Sequence, residues 1–321
     1  MASRINFTKR AIMVHGNDQL AFSVTVCLLL AGHPVTLVTE YSEEAKNKID
    51  KHFTAWSEIK YPPKRKELKI VKSSGADTDF GLAIAITSEN LQEKYKVIES
   101  FESILPSDCI IAINTESIPL CSLQNDSAHP CRIIGINWVE PAHTTFFLEI
   151  ITNSLNNESD VISLFEHAKT FWAKDPYLIN TGLGIRAKLF SVMAREAFYL
   201  VENGYASVED IDRACRNDAG YYLPFAGNFQ YMDLMGTYAY GLVMKDLNRE
   251  LSKESDLPSF FTAILNQGGS GMQNLKGFYS YGEDEVKQWN ELFAKFSYEI
   301  HDIINKYPFN HGTKDKTSLI K

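Results

Sequence analysis

The stretch "AIMVHGNDQLAFSVTVCLLLAGHPVTLVTE", residues 11–40, carries the residues whose types and spacing point most directly to chemistry. A short apolar run reaches a turn at Gly16, an apolar helix follows, and "GHPVTLVTE" supplies a second strand ending in Glu40. That order is the opening of a dinucleotide-binding unit. There, glycines let backbone approach a pyrophosphate, and an acid after the second strand takes a ribose hydroxyl. Where the second and third glycines belong, this chain has Asp18 and Ala21. Alanine is tolerated at the third position, but a carboxylate at the second is bulky and has the phosphate's own sign. Asp18 also reads as a helix N-cap, holding the free N–H groups that a phosphate would use. The acid expected after the second strand aligns with Thr39, so Glu40 comes one step late.

A second group of reactive types is Glu116, Glu140 and Glu149, with His143 between the last two. Three acids crowded into one cleft would raise one another's pKa values, as a general acid requires. His143 titrates near neutral pH and can be read either as a proton acceptor or as a solvated loop residue. His15, beside Gly16, reads as a packed strand-end residue. The five cysteines are odd in number, scattered and without CxxC spacing, so they offer no metal site and fit the reduced thiols of a cytoplasmic protein.

The elements that must position these groups fall into two halves. In the first, apolar runs such as "FGLAIAIT", "CIIAIN", "RIIGINWV" and "TFFLEIIT" alternate with helical patterns, one from Glu43 to about Ile59 and one over "NLQEKYKVIESFESIL". "YPPKRKELKIV" reads as a basic turn. Continuous apolar strands with helices between them imply a doubly wound, mostly parallel sheet covered on both faces. Beyond about Gly182 the pattern turns helical. Phe190, Met193, Ala197, Leu200 and Val201 form a stripe stopped by Asn203-Gly204, and Ser207 with Asp210 forms a capping box. The expected division is a Rossmann-type domain over 1–180, a helical domain over 181–308 and a tail over 309–321.

At 321 residues the chain has length for two cores, and its hydrophobic and charged contents are those of a globular protein. A formal net charge of -8 argues against nucleic acid or an acidic membrane surface as partner, and no apolar run reaches membrane-spanning length. The aromatic-rich "GYYLPFAGNFQYMDLMG" in the helical half suggests packing against a second copy, a homodimer.

Several segments, taken in order, resemble the 3-hydroxyacyl-CoA dehydrogenase family over nearly the whole chain. "ENGYASVEDIDRACRNDAGYYLPFAGNFQYMDLMG" is similar to the family's "EDID" helix and "GPFELLD" loop, and "GSGMQNLKGFYSY" to its "GKKTGxGFYxY" element. "TSENLQEK" matches "VENLKxK", with Glu89 and Lys94 in register. "INTESI", with Asn114, stands where the family has "SNTSSL", and "IIGINWVEPAHTTFFLEII" stands at "GxHFFNPVxxMxLVEVI". The resemblance implies NAD as cofactor, a 3-hydroxyacyl-CoA or similar hydroxy acid as substrate, and cofactor contacts at Gly16, Asp18, Ala21, Glu40, Glu89, Lys94 and Asn114. In the family a histidine takes the hydroxyl proton, a glutamate orients it, and a serine and an asparagine hold substrate oxygens.

Carried over by position, the glutamate is Glu149, the histidine is replaced by Asn137, the serine by Glu116 and the later asparagine by Ala187. The asparagine of "FNP" becomes Glu140, before the retained Pro141. An amide does not accept a proton at physiological pH, and a general base contributes about 100- to 10,000-fold. The family reaction is therefore expected to be crippled unless His143 acts as a displaced base. The alternative is a non-catalytic dimer that keeps the fold for binding or regulation. Glu149 is then a relic paired with an arginine or asparagine.

Overall fold

The computed structural model describes residues 10–59, 67–73 and 79–307. The basic residues 62–66 and the expected tail 309–321 lie outside the described residues. In chain order the first half forms β1 (Ala11–His15), α1 (Gln19–Leu30), β2 (Val35–Val38), α2 (Ser42–Ile59), β3 (Leu68–Val71), β4 (Phe80–Ala85), α3 (Leu91–Ile104) and β5 (Ile110–Ile113). It continues with α4 (Leu120–Gln124), β6 (Ile133–Asn137), β7 (Glu149–Ile151), α5 (Glu158–Phe171) and β8 (Tyr177–Ile179). All eight strands join one sheet in the order β3-β2-β1-β4-β5-β6-β7-β8. Every neighbouring pair is parallel except β6 and β7.

Strand burial explains this topology. β4, β5 and β6 are buried at every position, as a sheet covered on both faces demands. Successive residues feed opposite cores: Ile12, Val14, Leu82 and Ile84 pack with Phe22 and Leu28 of α1, while Met13, Ala83 and Ala85 pack with Ile98 and Phe101 of α3. α1 is buried continuously from Ala21 to Leu29, which is why it is apolar all round. Each large side chain fully buried here stabilises by about 1.5–3 kcal/mol.

The strand order reverses between β1 and β4, opening a crevice beyond their carboxyl ends where α/β sheets hold ligands. Two strands lie where no strand was expected. β3 falls within the basic "KELKIV", and β8 falls where the pattern was read as changing. Both are only partly buried edge strands, and Lys69 faces solvent in β3, so neither reads as a continuous apolar run. "TFFLEIIT" contributes only Glu149–Ile151 to the sheet.

The chain divides into compact units meeting between Lys188 and Leu189. Beyond β8 all elements are helices: α6 (Arg186–Glu202), α7 (Val208–Asn217), α8 (Ala219–Met235), α9 (Thr237–Leu247), α10 (Ser259–Asn266) and α11 (Glu283–Lys306). α6 stops at Glu202, and Gly204 just beyond it has a left-handed φ of 71°, as the Asn-Gly stop requires. The capping box forms: Ser207 Oγ accepts from Asp210 N at 3.1 Å, and Asp210 Oδ2 accepts from Ser207 N at 3.2 Å. α8 is two helical segments kinked at Gly227, where φ is 63°. No helix among the described residues is long and apolar enough to cross a membrane.

Candidate functional site

The turn after β1 is built for close approach. A Cβ on Gly16 would lie 2.6 Å from Ala21 Cβ and 3.0 Å from Ile86 O, so strand, helix and β4 meet where only glycine fits. Asp18 has extended backbone and caps α1, its Oδ1 accepting from Ala21 N at 2.9 Å. α1 starts at Gln19, and the first turn of a helix is where backbone N–H groups turn to caps, water or ligands. Asn17 Oδ1 accepts from both Thr39 Oγ1 and Glu40 N, each at 2.9 Å, which ties this turn to the end of β2 and sets Glu40 at the crevice edge. His15 packs edge-on against Phe101, and burial lowers its pKa, as expected of a strand-end residue.

Across the switch point, Asn114 locks the ends of β4 and β5 together. Its Oδ1 accepts from Thr87 N at 2.8 Å and its Nδ2 donates to Thr87 O at 2.9 Å. Lys94, fully buried, donates to Asn114 O at 2.6 Å and to Thr87 Oγ1 at 3.0 Å, with Glu89 Oε2 at 3.3 Å. Burial lowers the Lys94 pKa against the opposing charge of Glu89. Glu89 Oε1 accepts N–H bonds from Glu116, Ser117 and Ile118 at 3.0, 2.8 and 3.0 Å. Burial works against this carboxylate, yet those backbone bonds and Lys94 hold it below its usual range. The network is rigid, and its amides are already used.

The antiparallel register of β6 and β7 sets Asn137 opposite Glu149, and the next pair sets Glu149 opposite Tyr177. Asn137 Nδ2 donates to Glu149 Oε2 and to Thr115 O, both at 2.8 Å, while Oδ1 accepts from Thr115 N at 2.9 Å. The other Glu149 oxygen accepts from Ile185 N at 2.8 Å, Arg186 N at 3.2 Å and Tyr177 Oη at 3.3 Å. Glu149 is wholly buried and its negative charge sits at the start of α6, the favourable end of the helix dipole. Asn137 and Glu149 are thus bonded to each other and to backbone and side-chain groups of the protein itself.

The three acids do not share one cleft. Glu116 stays beside Glu149 and pairs with Arg186 Nη1 at 2.6 Å. Burial, reinforced by Glu149 and Glu89, pushes Glu116 up despite Arg186. Glu140 instead turns to α1, accepting from Ser23 Oγ, which itself accepts from Ala142 N at 3.1 Å. Burial, with Asp18 nearby, raises its pKa to about 7. His143 is buried against His52 of α2, their rings 4.6 Å apart. Arg186, next to the position the resemblance gives to Ala187, reaches Glu116 with its side chain. Sequence reasoning missed Arg186, Tyr177 and Thr115. An arginine in a helix's first turn opposes the dipole, which is a sign that its side chain is engaged elsewhere. Among the described residues no cluster of three His, Cys, Asp or Glu could hold a metal ion.

A doubly wound sheet with a tight turn at Gly16 and a crevice at its switch point, followed by a helical unit, is an architecture that can hold a dinucleotide. Residues 11–181 match the NAD binding domain of 3-hydroxyacyl-CoA dehydrogenase and residues 185–281 its C-terminal domain, so the chain belongs to that family and its cofactor is NAD. It is 25% identical over 216 residues to 5-formyl-3-hydroxy-2-methylpyridine 4-carboxylate 5-dehydrogenase of Mesorhizobium japonicum, covering 67% of this chain and 68% of that one. It is 24% identical over 210 residues to the fatty acid oxidation complex subunit alpha of Shewanella putrefaciens, covering 65% of this chain and 29% of that longer protein. Among solved structures, a 5-formyl-3-hydroxy-2-methylpyridine 4-carboxylic acid 5-dehydrogenase, described as an NAD+ dependent dismutase, superposes with a TM-score of 0.86 at 20% identity, covering 93% and 99% of the two chains. FadB2 of M. tuberculosis gives 0.69 at 21%, covering 86% and 100%. At these identities the structural likeness is one of fold.

Proposed function

We propose that this chain is an NAD-dependent oxidoreductase that has left the 3-hydroxyacyl-CoA reaction and acts on the hydroxyl or carbonyl of a smaller substrate. The observation that carries this reading is Asn137. Its amide stands where the resemblance puts a proton-accepting imidazole; both Nδ2 hydrogens are donated within the fold and Oδ1 accepts from Thr115 N. What supports NAD binding is Gly16, which permits the close turn, the start of α1 just after it, Glu40 tied to that turn through Asn17, and the Asn114–Lys94–Glu89 network across the switch point. When bound, NAD accepts hydride from the carbon bearing the hydroxyl. Asp18 weakens the fit at the pyrophosphate through its charge.

The helical unit pairs with a second copy in this reading. Leu189, Phe190, Phe229, Tyr238 and Leu292 are each at least 62% exposed, more apolar surface than a lone chain keeps. The test is NADH fluorescence titration with a 3-hydroxybutyryl-CoA oxidation assay on the same preparation, sized by light scattering. Expected are saturable NADH binding, dimeric mass, and CoA-ester turnover at least about 100-fold below a histidine-bearing family member. Turnover at the family's ordinary rate overturns the departure from CoA chemistry. Absence of NADH binding up to millimolar concentration instead favours the non-catalytic dimer.

A further inference from the structure

One group at this site is left without a partner. Glu116 Oε1 is bound by Arg186, while Oε2 is buried and has no hydrogen-bond donor among the described residues. A buried carboxylate oxygen without a donor is costly, so a protein retains one where a ligand supplies the donor. Its neighbours cannot take that role, because Asn137 and Glu149 are spent on each other and on backbone. The Arg186 guanidinium lies 6.0 Å from the Phe147 ring centre, and Phe147 in turn meets Tyr177 edge-on at 5.7 Å. Arg186 is half-exposed and spends one nitrogen on Glu116, so other N–H groups of its fork remain for an incoming anion.

Resting on the oxidoreductase reading above, we propose that the substrate is a small hydroxy acid with a free carboxylate, held by Arg186 against Phe147, whose hydroxyl proton passes to Glu116 Oε2. The O–H bond breaks with its proton going to Glu116. The C–H electron pair leaves as hydride for the nicotinamide dinucleotide, and the C=O bond forms. The alcohol is oxidised by two electrons and the dinucleotide reduced. Binding also sets the base. Once the substrate carboxylate shares Arg186, less positive charge opposes burial, Glu149 and Glu89, and Glu116 becomes a stronger acceptor. Lys94 from α3 and Tyr177 from β8 complete the set of titratable groups around it. A thioester offers Arg186 no second carboxylate, which separates this substrate class from acyl-CoA.

Isothermal titration with L-lactate, 3-hydroxybutyrate and mandelate, each beside its primary amide, tests the anchor with and without NADH present. At least one acid is expected to bind at least tenfold tighter than its amide. Arg186→Gln should abolish that preference, weakening the acid at least tenfold more than its amide. Glu116→Gln should keep acid binding but lower kcat at least 100-fold, and remove the acidic limb of the pH–rate profile. Circular dichroism confirms that both variants fold. If no acid outbinds its amide, or Arg186→Gln leaves the preference intact, the anchor is wrong. If Glu116→Gln turns over normally, the proton acceptor is wrong. If NADH does not bind, the oxidoreductase reading and the proton step fall together, while the acid–amide comparison without NADH still decides the anchor.

Discussion

Replacing Asp18 by glycine should tighten NADH binding about tenfold, and the magnitude follows from where its carboxylate sits. Asp18 Oδ1 lies 2.9 Å from Ala21 N, inside the first turn of α1. A pyrophosphate using the adjacent Gln19 and Leu20 amides would approach that oxygen to about 4 Å, where like charges repel by about 1 kcal/mol in water and about 4 kcal/mol near a protein surface. Asp18 is solvent-exposed, so screening keeps the penalty in the lower part of that range, about 1–2 kcal/mol. Losing the cap to glycine costs only about a few tenths of a kcal/mol. Asp18→Asn separates charge from bulk, because asparagine still caps the helix and carries no charge. Fluorescence titration of wild type and both variants reads the result. If charge is the obstacle, Asn recovers most of the gain; if backbone approach is the obstacle, only Gly does. If neither tightens binding while both melt like wild type, Asp18 is not what weakens the site.

Two further predictions concern stability. A Cβ on Gly184 would stand 2.2 Å from Glu149 Oε2, so Gly184→Ala must push the buried carboxylate off its donors. The expected cost is about 3 kcal/mol, or a fall of roughly 6–12 °C in Tm. A melting curve within a degree of wild type would show that the Glu149 clamp is not rigid. The second rests on His167, whose Nε2 lies 3.0 Å from His33 Nε2, which also accepts from Trp172 Nε1 at 3.0 Å. Burial, with His33 beside it, lowers His167 from 6.5 to about 4. Between those values the unfolded chain binds a proton that the native state refuses. Stability is therefore full above about pH 6.5 and declines by about 3 kcal/mol as pH falls toward 4. Urea midpoints at pH 7 and pH 5 measure the decline, His167→Phe should flatten it, and an unchanged slope in that variant assigns the effect elsewhere.

Much of the fold was legible because its causes are local. The buried runs of β4, β5 and β6, the apolar helix α1, the Asp18 cap and the Ser207–Asp210 box depend on residues within a turn or a strand of one another. The partly buried edge strands β3 and β8 escaped notice, because half of each faces water and their pattern is not that of a core strand.

The sequence by itself determined which groups are present: an amide at 137, a carboxylate at 149, and a carboxylate at 18 in the turn after the first strand. Tertiary structure alone decided what those groups do. Strand register, not spacing, joins Asn137 to Glu149 across 12 residues. The return of the chain into α6 brings Arg186 to Glu116 across 70 residues and leaves one carboxylate oxygen waiting for a donor. Loop packing sends Glu140 to Ser23 and His143 to His52, away from the cluster their order in the chain had suggested. Caps and strand patterns are set by near neighbours. The direction of a side chain in a loop is set by whatever distant surface buries it, and no short window of sequence contains that surface.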